Sequence, residues 1–68
     1  MNISINTVIR SGTDSSIWQI IDIDCRRNVL TDEWSTNVML VCVEGESVDA
    51  VSTITVDQIP LHFTVVPA

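Results

Sequence analysis

Lysine is absent from this chain of 68 residues, and three arginines stand against nine acidic side chains, for a net charge of -6. Phosphate contacts need a basic surface, so the balance argues against direct nucleic-acid binding. Gly12 and Gly45 are the only glycines, which leaves neither a GxGxxG loop nor a P-loop to cradle a phosphate. Two cysteines, Cys25 and Cys42, are too few for a disulfide-dense scaffold. No CxxC and no paired histidine accompany them, so a zinc site fails on spacing and no cofactor is expected. The longest apolar run, Val38 to Val43, is six residues, far short of the ~20 a membrane span needs. What remains is 46% apolar and poor in glycine and proline, the composition of a folded chain.

The length suits a single small domain over 1–68. A core this small is marginal, and chains below ~70–80 residues often gain stability from a second subunit. Met1 to Asn6 alternates polar and apolar residues, without the basic and apolar regions of a secretory start. The expected compartment is cytoplasmic, with both thiols reduced. The acidity has two readings: plain solubility, or a face that meets a basic partner surface.

Asn2 to Arg10 alternates around Ile3 and Ile5 and reads as a strand, with its parity breaking at Val8 and Ile9. Ser11 to Ser16 is a turn cluster. The β-branched and aromatic run from Ile17 to Ile23 and the run from Trp34 to Val43 read as two strands of a hairpin. A turn at Thr31-Asp32-Glu33 sets Cys25 opposite Met39, Ile23 opposite Val41 and Ile21 opposite Val43, giving one clean apolar face. The other face is mixed: Trp18, Ile20, Asp22, Asp24 and Arg26 across from Val38, Leu40 and Cys42. Residues 47–58 are ambiguous. Their β-branched content favours a strand; Ser47 as N-cap, Asp49 in the first turn and Pro60 as a stop favour a helix, which is the expectation adopted. Leu61 to Val66 reads as a last strand. The expected fold is α+β, an antiparallel sheet of about four strands with one helix on one face; the rival is an all-β five-stranded small barrel.

Asp22 and Asp24 lie two apart on a strand. Paired carboxylates do acid–base work when burial or repulsion splits their pKa values, but a solvated face is the simpler reading. His62, the single histidine, reads as an exposed strand residue, and no triad follows from spacing. Trp18 and Trp34 either seal a small second core or anchor a partner, since Trp is enriched at binding hot spots. With Leu40 they form the expected apolar anchor, while Asp22, Asp24, Glu44 and Glu46 supply charge steering.

Thr36-Asn37-Val38-Met39-Leu40, following the acidic Thr31-Asp32-Glu33, resembles a strand of the phage uracil-DNA glycosylase inhibitor family. The match spans about ten residues. Those proteins are small acidic mimics of DNA that block a repair enzyme. Their Glu-Ser-Ile edge segment has no counterpart here, where Ser16-Ile17 lacks the Glu, so no binding residue is carried over. At the level of class, the size and acidity look like the small inhibitors that phages make against host enzymes. The expected function is a non-catalytic protein-binding inhibitor of a host protein with a basic surface, from a phage or mobile element. The alternative is a structural subunit that forms a homodimer or larger homo-oligomer through an apolar sheet face.

Overall fold

A computed structural model describes residues 3–67; Asn2, where the first strand was expected to start, lies outside them. Five antiparallel strands form one open sheet in the order β4-β3-β2-β1-β5. They are β1 (Val8–Ser11), β2 (Ile17–Asn28), β3 (Glu33–Glu44), β4 (Val51–Thr55) and β5 (Phe63–Val65). A 3-10 turn, Val56–Gln58, runs into the short helix α1, Ile59–His62, between the two edge strands. The α+β expectation therefore holds, with five strands. β4 and β5 sit at opposite ends of the sheet order, so the sheet is not closed into a barrel.

The first strand is shorter than its alternation suggested. Thr7 N–H donates to the Ser4 carbonyl (3.0 Å), Thr7 Oγ1 accepts from Ser4 N–H (3.0 Å), and Asn6 takes a left-handed φ of 77°. Asn tolerates that conformation better than most residues. This turn breaks the extended run before Val8.

The hairpin turn also differs from expectation. Leu30 N–H donates to Asn28 Oδ1 (2.9 Å) and Asp32 N–H to the Asn28 carbonyl (2.7 Å), with Asp32 left-handed at φ 57°. An Asx-type turn thus begins at Asn28 and takes Val29 and Leu30 out of the strand. Cys25 consequently faces Thr36 rather than Met39, and Ile23 faces Val38 rather than Val41. A second irregularity lies between Ile20 and Asp22, where Ile20 pairs with Leu40 and Asp22 with Met39, leaving Ile21 as the extra residue of a bulge. A bulge reverses the alternation beyond it. Trp18 and Ile20 before it, and Ile23 after it, all turn to one side, while Asp22 and Asp24 turn to the other.

That first side is the core. Ile9, Ile20, Val38, Leu40 and Ile59 are buried together, with Ile3, Trp18, Ile23, Ile54, Val56 and Phe63 packed around them. Along β3, and along β2 as far as Ile20, the face read as mixed is thus the covered one; beyond the bulge Ile23 joins it from the face read as apolar, and Asp22 and Asp24 leave it for the open side.

The helix expected over 47–58 is not there: β-branched Val51, Thr53, Ile54 and Thr55 form β4 instead, paired with β3 from Asn37 to Val41. Pro60 does not stop a helix but sits in the first turn of α1, where a missing N–H costs nothing. α1 contributes Ile59, fully buried, as the plug over the sheet. Gly45 has φ 135°, and a Cβ there would come within 2.9 Å of Ser16 Cβ. Glycine is what lets the two loops at that end touch.

Leu40→Ala is expected to cost about 2–5 kcal/mol, because a fully buried side chain leaves a cavity. Trp34→Ala is expected to stay within about 0.5 kcal/mol, as for a surface site. Urea unfolding of both variants checks the contrast; equal losses would contradict the assigned faces.

Candidate interaction surface

The seven residues expected to form one surface are distributed over four places. Leu40 is 1% exposed and belongs to the core, so it is withdrawn as an anchor. Trp18 is half-buried against the same core. Its indole N–H donates to Ser16 Oγ (2.7 Å), and Ser16 Oγ donates to Asp14 Oδ1 (2.6 Å). Ser16 N–H also donates to that carboxylate oxygen (3.0 Å). The relay ties the indole inward, so Trp18 is structural too. The sequence reading left both exposed with Trp34 because it placed the covering helix on the opposite face of the hairpin.

Trp34 is different: it is 72% exposed. It lies on a projecting ribbon. β1 pairs with β2 only at Ile17 to Gln19, and β4 pairs with β3 only from Asn37 onward, so among the described residues the strand ends beyond Asp24 and before Asn37 pair only with each other. The molecule is accordingly elongated, 38 × 22 × 21 Å. At the ribbon's tip Val29 is 86% and Leu30 92% exposed. The sequence reading missed these two as surface residues because they prolong a strand-like run. The available signal was Asn28, an Asx-turn former placed just before them.

Charges flank the tip. Arg26 Nε donates to Asp24 Oδ2 (2.7 Å), and Arg27 Nε donates to Asp32 Oδ1 (2.6 Å). The bond and the attraction of Asp24 hold the Arg26 guanidinium above its usual pKa. Both pairs are solvent-exposed and contribute little to folding. Asp22 and Asp24 are exposed on the open sheet face, beside Arg26, Asn37, Met39 and Thr53 around a shallow depression. Glu44 lies opposite Ile17 at the far end of β3, and Glu46 in the following turn; both are exposed.

The open face itself carries Ile21, Met39, Val43 and Val51 exposed and Val41 half-buried. Cys25 is exposed and Cys42 buried, and both are free thiols. His62 is exposed in the last turn of α1. Among the described residues no group of three or more His, Cys, Asp or Glu side chains is placed to hold a metal ion, and no helix is long and apolar enough to cross a membrane.

Comparison with protein-family models, with curated proteins and with solved structures finds no match to this chain. Thr36–Leu40 is the middle of β3.

The Ser16 bonds hold the Asp14 carboxyl below its ordinary value of 3.8. A lowered carboxylate stabilises the fold above its unfolded pKa, and that contribution is lost as pH falls through the lowered value. An NMR titration should give Asp14 a midpoint below 3.8 in the wild type and a rise toward 3.8 in Ser16→Ala. The same variant should speed exchange of the Trp18 indole proton. A midpoint that does not move on substitution contradicts the relay.

Proposed function

We propose that this chain is a non-catalytic binding protein that docks on a larger protein through the tip of its β2–β3 ribbon. One observation carries the reading: Val29, Leu30 and Trp34 are three large apolar side chains held in water at the end of a projecting hairpin. Single exposed apolar residues are ordinary; a cluster of them on a protrusion is a contact surface with little other use. Trp offers a large rigid contact at low entropic cost, which suits a hot spot.

The partner's chemistry follows from charge. The chain's net charge of -6 repels anionic lipid headgroups and favours a basic protein surface. Asp22, Asp24, Glu33, Glu44 and Glu46 steer the approach, and the tip supplies affinity. Small size, acidity and an apolar tip suit an inhibitor made by a phage or mobile element against a host protein, the class to which the local resemblance of Thr36–Leu40 also points.

The test is capture from bacterial lysate, identification of the captured protein, and titration with it in purified form. Leu30→Ser with Trp34→Ala is expected to weaken binding about tenfold or more, as for hot-spot truncation. Asp22→Lys with Asp24→Lys is expected to slow association and flatten its salt dependence. Undiminished affinity in the tip variant would remove the reading.

A second reading has its own observation. The open face, with Ile21, Met39, Val43 and Val51 exposed, suits a homo-oligomer that pairs sheet to sheet. Sedimentation at micromolar concentration separates the two: a dimer that Met39→Lys dissociates favours self-assembly, and a monomer favours the ribbon.

A further inference from the structure

We propose that the free edge of β4 accepts an extended segment of a partner protein as a sixth strand, and that this segment carries Lys or Arg at both ends. The site is separate from the ribbon tip and does not depend on it.

β4 pairs with β3 on one side and ends the sheet on the other. Cys42 N–H donates to the Ala50 carbonyl, and Asp49 N–H to the Cys42 carbonyl, each at 2.9 Å. Hydrogen-bonded positions alternate along an antiparallel pair, so Ser52 and Ile54 direct their backbone groups toward β3. Val51 and Thr53 direct theirs outward, where a further strand would bind them.

Proteins usually blunt such an edge with a charge, a proline, a bulge or a very short strand. The other edge of this sheet is blunted: β5 is only three residues long, and Pro67 follows it closely. β4 has none of these devices. Its sequence is Val-Ser-Thr-Ile-Thr, uncharged and mostly β-branched, and its pairing with β3 runs without a register shift.

The residues just outside the strand decide the occupant. Asp49 precedes β4 and Asp57 follows it, both exposed. If a second copy paired antiparallel about Thr53, Val51 would lie opposite Thr55, and the turn carrying Asp49 in each copy would come to the end where the other copy's 3-10 turn carries Asp57, twice over. Like charges brought together at both ends of the ladder oppose pairing. A shifted register would relieve this only by shortening the ladder. The same two carboxylates attract a strand whose ends are cationic. Strand addition supplies affinity through main-chain hydrogen bonds and leaves selection to side chains; here the selecting groups are Asp49 and Asp57.

The experiment is amide hydrogen exchange on the intact chain with a capped peptide of about nine residues, the span of a strand and its two flanks. The peptide has Lys at each end and alternating Val and Thr between, and a matched peptide has Glu at each end. The Lys-ended peptide should slow exchange at Val51 and Thr53, and the Glu-ended peptide should not. Asp49→Asn with Asp57→Asn should weaken binding about fivefold, the worth of two exposed charge pairs, while β2–β3 amides keep their protection. Asn at 49 keeps the left-handed φ of 73° accessible. Thr53→Pro removes an outward N–H and should abolish binding; if it unfolds the chain, the exchange data on the wild type decide alone. The proposal is overturned by unchanged exchange at Val51 and Thr53 under saturating Lys-ended peptide, or by equal affinity for both peptides. Protection that appears without peptide and grows with protein concentration also overturns it, in favour of a second copy.

Discussion

The bulge at Ile21 is the constraint on which the molecule turns. One extra residue in β2 lets Ile20 and Ile23 point to the same side although they are an odd number of positions apart. Without it, strict alternation would bring Asp22 and Asp24 into the apolar layer beside Ile20, or send Ile20 to solvent. Neither arrangement is tolerable: a buried carboxylate without a partner is costly, and the core has few apolar residues to spare. The bulge resolves the conflict by sorting the strand into an apolar inner row and an acidic outer row.

Coverage follows from size. One helical turn segment crosses the sheet, and Ile59 closes the layer formed by Ile9, Ile20, Val38 and Leu40. Nothing of comparable apolar content lies over the opposite face among the described residues. Ile21, Met39, Val43 and Val51 therefore remain in contact with water, and so does the tip of the ribbon. Burying an apolar side chain of this size is worth about 1.5–3 kcal/mol, so leaving several exposed forgoes stability that a marginal chain could use. That exposure is what the proposed docking function rests on.

The two tryptophans show how position outweighs residue type. Both sit in the same hairpin and both looked like anchors. Trp18 lies where β1 also pairs, and the Ser16–Asp14 relay directs its indole against the core. Trp34 lies where the ribbon has lost its neighbouring strands; it shares a shallow depression with Thr55, Val56 and Asp57 and stays 72% exposed.

The amino-acid sequence determined the antiparallel α+β class, the hairpin, the turn at Ser11–Ser16 and the exposed acids Asp22 and Asp24, because alternation, turn chemistry and charge act locally. It also carried both sides of the conflict over residues 47–58, where β-branching proved stronger than a cap and a proline stop once β3 offered a partner edge. Register, the inner face and the fate of Trp18, Trp34 and Leu40 were decided only in the tertiary structure. A single inserted residue reverses every side chain beyond it, and no local propensity reports where the sheet absorbs that residue. The bulge exists because two separated rows of apolar groups must meet across β1, β2, β3 and α1 at once, which is a property of the packed molecule alone.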